Sequence, residues 1–217
     1  MTQERSRAGL AATAGLAVPV ATTLVYMATL GGPSEPGYAG FEAYVSTRWG
    51  EIVTVWTTET VGFAIGIIAA LGLAAQPGSE RAAWNAIAVG SLGVLLSTAF
   101  GIGMFQQFGT AGEDHFPLFM GVLNISFWFF FFGKAMTSIG VAGLGIALFR
   151  RPGIGKVLGV LSILFGLAGF GAKLIGMATG LTFIMQAGTA GVAATAVGAL
   201  AAFALTRSAP AGADETA

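Results

Sequence analysis

Long apolar stretches separated by short polar connections dominate this chain. Six stretches are near or above the roughly 20 residues that an α-helix needs to cross about 30 Å of hydrocarbon. They predict transmembrane helices over about residues 8–30, 52–75, 82–105, 120–149, 157–177 and 182–205. The predicted fold class is therefore all-α, as one polytopic membrane bundle of six transmembrane helices that forms a single domain over residues 1–207.

The fourth apolar stretch is longer than a bilayer requires. The 33 residues from Pro117 to Phe149 would extend about 50 Å at a rise of about 1.5 Å per residue. Two spans in this stretch would leave a fragment of about a dozen residues, too short to cross. The pattern favours one long helix that is tilted or projects from the membrane.

The connection before the second span has a helical pattern of its own. Apolar and aromatic positions recur there at spacings of three and four, at Phe41, Tyr44, Val45, Arg48, Trp49 and Ile52. This spacing predicts a short amphipathic helix over about 38–50 on the outer face. Its commoner role would be an interfacial anchor, and the alternative is a lid over an outward cavity.

The composition supports a membrane protein and excludes several function classes. Apolar residues make up 55% and charged residues 9% of the 217 residues, whereas soluble domains carry about 25% charged residues. The net charge is +0, which gives no basis for nucleic-acid binding. The chain has no cysteine and one histidine, so thiolate, multi-histidine and bis-histidine haem sites are excluded within one chain. We predict no cofactor, and catalytic groups are too scarce to favour an enzyme.

The basic residues predict which ends of the helices face the cytoplasm. With the N-terminus inside, seven of the 10 Lys and Arg residues fall in cytoplasmic segments, namely Arg5, Arg7, Arg81, Arg150, Arg151, Lys156 and Arg207. The outer connections then carry one, Arg48. The positive-inside rule therefore places both termini in the cytoplasm of a cell membrane, with a bacterial inner membrane expected from the composition. A short tail over 208–217 is predicted to be disordered.

Three ionisable residues, Glu59, Lys134 and Lys173, fall inside predicted spans. They lie 17, 16 and 17 residues from Gln76, Arg150 and Lys156 respectively. At about 1.5 Å per residue, these separations place all three about 25 Å from the inner boundary. A charge at mid-bilayer costs on the order of 3 kcal/mol, so charges at one depth are expected to meet.

Two interpretations of these charges remain open. Lysines can extend to the headgroups, or an ion pair can fix helix register. Alternatively, the three charges form a ligand site with the nearby polar residues Thr137, Asn124 and Gln106. Two lysines against one glutamate would favour a lipid headgroup or small anion as ligand.

An acidic loop precedes the fourth span. It contains Glu113, Asp114 and His115, followed by Pro117. Capping of the next helix by Asp114 or His115 is the favoured interpretation. A weak metal site built from the three adjacent side chains is the alternative.

The hairpin around Pro152 carries a resemblance to a known family. Leu148, Arg150, Pro152, Gly153, Leu158 and Gly159 lie within residues 141–161. This segment resembles a hairpin in a bacterial family of six-helix membrane proteins of unknown function, in which a leucine-rich helix end, a basic residue and a Gly/Pro turn precede Leu-Gly. The resemblance covers about a tenth of the chain, implies six helices and implies no activity.

Two functions are expected from these patterns. The first is a transporter, channel or binding protein for a lipid or small anion that uses the polar cluster in the outer half of the membrane. The alternative is a non-catalytic subunit or assembly partner of a larger membrane complex, or a homo-oligomer. The lipid bilayer is the partner common to both.

Overall fold

The structure, a computed structural model, describes residues 2–207. The described residues are all-helical, which confirms the all-α part of the predicted fold class. The predicted disordered tail, 208–217, lies outside them. Six α-helices are present in this part of the chain: α1 (Thr2–Val25), α2 (Tyr38–Ala74), α3 (Arg81–Gly109), α4 (Phe116–Phe149), α5 (Ile154–Thr179) and α6 (Ile184–Arg207).

Three short helical turns extend these elements. A π-helical turn, Tyr26–Leu30, continues α1. Two 3₁₀ turns, Glu113–His115 and Gly180–Phe183, precede α4 and α6. Gly180 has a φ of 66°, a backbone conformation that glycine adopts more readily than other residues, and this residue ends α5.

Within residues 2–207, five helical runs are long and apolar enough to cross a membrane. The last run, Ile154–Arg207, comprises 54 residues and contains both α5 and α6. The runs establish a helical protein suited to a bilayer, and they do not confirm six separate crossings. However, α5 and α6 pack against each other, so the run folds back on itself at the turn after Gly180.

The predicted amphipathic helix over 38–50 is not a separate element, which corrects the prediction. It forms the first part of α2, which continues without a break to Ala74. Gly50 lies where two helices were expected to meet, and a Cβ added there would contact nothing within 4 Å. Arg48 donates to the carbonyl of Thr29 at 2.9 Å, so this part of α2 is held beside the end of the π-helical turn.

Five of the helices enclose a common interior. Helices α1 to α4 pack in chain order, and α6 packs against both α4 and α1. These contacts close a ring of α1, α2, α3, α4 and α6. Helix α5 lies outside the ring, against α4 and α6.

The two ends of the ring differ in charge. The basic end contains the start of α1, the end of α6 and the connections 75–80 and 150–153. There Arg5 pairs with Glu80, which joins α1 to the α2–α3 connection. The opposite end, called the open end here, contains the connections 31–37, 110–115 and 180–183.

Close packing fills the half of the ring nearest the basic end, called the basic half. Its core contains small side chains with a few large ones, including Leu16, Trp84, Ile87, Leu144, Leu148, Ala201, Ala202 and Leu205. A Cβ on Gly15 would lie 2.5 Å from the Cα of Gly66, so α1 and α2 are in backbone contact. Small residues permit such an approach between membrane helices.

Candidate ligand cavity

The half of the ring nearest the open end, called the open half, encloses a cavity of about 560 Å³. All five ring helices contribute to its lining, together with the π-helical turn and Leu181, whereas α5 contributes no residue. Small-molecule sites in proteins typically occupy about 300–1,000 Å³. The cavity is therefore large enough for a small organic ligand.

Aromatic side chains form a large part of the cavity wall. They come from the π-helical turn, α2, α3 and α4, and they are Tyr26, Phe41, Tyr44, Trp49, Trp56, Phe105, Phe119, Phe127 and Phe130. The Trp56 ring packs edge-on against Phe105 at 5.4 Å and against Trp49 at 6.4 Å. Such edge-to-face pairs add stability beyond area burial, so these residues form an ordered apolar wall.

Hydroxyl groups in the cavity wall already have partners. Ser97 and Ser126 join α3 to α4 through their hydroxyls at 3.1 Å, and Ser126 also donates to the carbonyl of Ser97 at 3.0 Å. Tyr26 and Tyr44 share a hydrogen bond of 2.9 Å. Because buried polar groups with partners need no ligand, these hydroxyls stabilise the wall.

The carboxylate of Glu59 lies in the wall with few partners. Glu59 is the cavity-lining residue of α2 nearest the basic end, and it is 7% exposed. Within residues 2–207 it accepts one hydrogen bond, from Thr23 at 3.5 Å. Thr23 makes a shorter bond of 2.7 Å to the carbonyl of Pro19. Since an ionised carboxylate offers about four acceptor sites, Glu59 retains capacity for a donor within the cavity.

Lys134 lies one turn beyond the cavity on α4. Its ammonium sits over the ring of Phe63 at 5.1 Å and the ring of Phe130 at 5.8 Å. Aromatic faces attract cations electrostatically. Phe130 lines the cavity and Lys134 does not, so this charge contacts a residue of the cavity wall without lining the cavity itself.

Lys173 reaches from α5 into the contact between α4 and α6. Its ammonium donates a hydrogen bond to the carbonyl of Ala187 on α6 and lies 4.9 Å from the ring centre of Phe130. Gly191 leaves room for it, since a Cβ there would lie 2.8 Å from the Nζ atom. Lys173 is 0% exposed, so its charge is held entirely within the protein.

Within the described residues, Glu59, Lys134 and Lys173 form no ion pair with one another. Glu59 and Lys134 influence each other electrostatically, as do Lys134 and Lys173. The ion pairs in residues 2–207 are Arg5–Glu80 and Arg48–Glu51, and neither involves a lysine. Extension of either lysine to the headgroups is also excluded, because both are buried beside aromatic rings.

The polar residues predicted to complete the cluster lie elsewhere. Thr137 is buried at the contact between α3 and α4, where it donates to the carbonyl of Gly133 at 3.0 Å. Asn124 and Gln106 are exposed on the outside of the bundle. None of the three lines the cavity, so the structure does not bring them together with Glu59 there.

The acidic loop before α4 forms a 3₁₀ turn with exposed side chains. His115 occupies the N-cap position of α4, and its side chain makes no capping hydrogen bond. The expected cap by His115 is therefore wrong. Within residues 2–207 no group of three or more His, Cys, Asp or Glu side chains is arranged to hold a metal ion, so Glu113, Asp114 and His115 do not form such a group.

Sequence reasoning missed most of the cavity wall. Thr23, Ser97 and Ser126 are hydroxyl residues within apolar spans, and that signal was available. Whether these residues line the cavity depends on which face of each helix points towards the interior of the ring. Without the order of helices around the ring, these hydroxyls cannot be distinguished from residues at helix contacts.

Comparison of the chain with protein-family models, curated proteins and solved structures gives no match. The function must therefore be argued from the cavity itself. The chain is an all-helical protein whose apolar helices are suited to a membrane, with a partly open aromatic cavity that has one carboxylate in its wall.

Proposed function

We propose that this protein crosses the membrane six times, with both termini in the cytoplasm, and binds an amphiphilic small molecule in the open half of the ring. The observation that carries the proposal is the position of Glu59 at the deep end of an aromatic cavity. An apolar body would contact the aromatic wall, and a donor group would bind the carboxylate.

Six crossings are supported by the fold of the last apolar run. As a single straight helix, its 54 residues would extend about 80 Å, far beyond a bilayer of about 30 Å. As two helices, α5 and α6 contain 26 and 24 residues, and each is long enough to cross. Six crossings place all seven basic residues of the terminal and inner segments on one side, as the positive-inside rule requires.

The cavity favours a donor head group over an anion. The sequence argument for an anionic ligand counted Glu59, Lys134 and Lys173 together. Of the three, Glu59 alone lines the cavity, and both lysine ammonium groups lie against the ring of Phe130. A carboxylate in an apolar site repels an anion and accepts hydrogen bonds from an ammonium or hydroxyl group. Aromatic rings also attract an ammonium group.

The filled basic half distinguishes binding from conduction. A channel requires a continuous polar path through the interior of the ring. The packed core around Trp84 and Leu148 fills that interior in the basic half. Binding needs only the cavity. Transport would require a second conformation in which this core opens, so binding is the function that the observed geometry supports.

The test uses fluorescence quenching by a bromine-tagged dodecylamine in protein-containing vesicles. The reference protein carries Trp128→Phe, because Trp128 is exposed to lipid and would be quenched non-specifically. We expect saturable quenching of Trp49 and Trp56, which line the cavity. The matched control adds Trp49→Phe and Trp56→Phe, leaving Trp84 in the sealed core, and we expect its saturable quenching to disappear.

The head-group preference is tested with two further arms. A bromine-tagged dodecanoic acid should bind more weakly than the amine, and Glu59→Gln should weaken amine binding about tenfold, or about 1.4 kcal/mol. Absence of saturable quenching by either probe would refute ligand binding. Stronger binding of the acid would instead restore the anionic interpretation.

A further inference from the structure

Helices α1 and α6 meet at the basic end and separate towards the open end. A Cβ on Gly9 would overlap the side chain of Thr206, so the two helices touch there. The π-helical turn Tyr26–Leu30, which continues α1, packs against α1 and α2 and makes no comparable contact with α6. The seam between α1 and α6 is therefore closed at one end and loose at the other.

Two methionines flank the loose end of this seam. Met27 belongs to the π-helical turn and Met185 to the first turn of α6, and both line the cavity. They are also 37% and 60% exposed on the protein surface. Residues that contact both an interior cavity and the exterior mark its mouth.

The seam is also open one turn further along α6. Gly188 lines the cavity, and a Cβ added there would meet nothing within 4 Å. Leu24 on α1 is also exposed and apolar. The mouth therefore opens through a surface suited to hydrocarbon.

Aromatic rings cover the cavity between α2 and α4 at the open end. Phe41 packs against Phe116 at 5.8 Å and Phe119 at 5.3 Å. Tyr38 also contacts the Phe116 ring and accepts a hydrogen bond of 3.1 Å from the backbone N–H of Gly112. These contacts tie α2 to the loop before α4, so entry from water on this side would require several rings to move.

We propose that the gap between Met27 and Met185 is a lateral portal through which the ligand enters from the outer leaflet. The inference rests on the proposed binding function and adds the source of the ligand, a single-chain amphiphile dissolved in the membrane. Methionine side chains are unbranched and adaptable, so they yield to a passing chain. The head group then travels along the cavity to Glu59.

The test obstructs the portal and measures the rate of entry. Vesicles preloaded with the bromine-tagged dodecylamine are fused with vesicles that contain the Trp128→Phe reference protein. We expect Gly188→Phe to slow quenching at least tenfold, since access steps set such rates. Gly171→Phe on α5 is the matched control, because a Cβ at Gly171 also meets open space, and it should not change the rate.

A second obstruction acts at the exposed rim of the mouth. The chain contains no cysteine, so Met185→Cys can be labelled selectively with a bulky maleimide. Labelling should slow entry, whereas the same label on Gly171→Cys, which does not line the cavity, should not. Equal rates before and after complete labelling would overturn the portal while leaving ligand binding intact. Loss of quenching in the unobstructed reference protein would instead overturn the proposed function.

Discussion

The basic and open halves of the ring are formed by the same helices but by different residues. In the basic half, alanines and glycines bring the backbones together around Trp84. In the open half, aromatic side chains hold the helices apart around a cavity. The difference shows how one bundle can combine a rigid packed base with a ligand-sized space. Lys134 and Lys173 lie at the boundary between the halves.

The largest expected effect comes from removing a large side chain from the basic half. Trp84→Ala should reduce the free energy of unfolding by about 4 kcal/mol, because it creates a cavity in a close-packed core. Trp56→Ala should cost less than half as much, since Trp56 already borders empty space. Unfolding in mixed detergent measures both. Equal losses would contradict the difference in packing between the halves.

Overpacking the contact between α4 and α5 near the basic end should have the next largest effect. A Cβ on Gly159 would lie 2.5 Å from the backbone N of Phe149, so Gly159→Leu should cost on the order of 3 kcal/mol. Gly171→Leu on the same helix, where the added side chain meets open space, should cost under about 0.5 kcal/mol. The same unfolding measurement applies. A tolerated leucine at position 159 would show that α4 and α5 are not in backbone contact.

The smallest effect is expected at the boundary between the halves. Lys173→Met should change the free energy of unfolding by less than about 1 kcal/mol, because an apolar side chain of similar volume can replace a buried charge. The Ala187 carbonyl that Lys173 contacts also lies inside α6, where a helical hydrogen bond satisfies it. Lys173→Ala should cost about 2 kcal/mol through the space it leaves. A loss of more than about 2 kcal/mol with methionine would assign the charge itself a stabilising role.

The features of the fold that depend only on position along the chain could be predicted from the sequence. Apolar length gave the all-α class, and the long stretch up to Phe149 is one helix, α4. The break expected near Gly50 does not occur, because an exposed glycine only weakens a helix and does not end it. Charge depth is a one-dimensional property as well, and the two lysines do meet at one ring, that of Phe130.

The candidate site could not be predicted in this way, because it depends on the direction in which each side chain points. Helical rise placed Glu59, Lys134 and Lys173 at one depth, but rise says nothing about direction around each helix. The lysines contact the ring of Phe130 without lining the cavity, and α5 lies outside the ring. The partners of the lysines are therefore aromatic faces and a backbone carbonyl. Neither an aromatic ring nor a backbone carbonyl has a formal charge, so neither partner could be matched to a lysine from the charges in the sequence.

Anomalous diffraction from crystals grown with the bromine-tagged dodecylamine tests the central claim most directly. The account predicts a bromine peak inside the aromatic cavity, with density for the amine beside the carboxylate of Glu59. The Glu59→Gln variant should show a weaker peak at the same amine concentration. An empty cavity with bromine only on the lipid-facing surface, or an amine bound away from Glu59 within the cavity, would contradict the account.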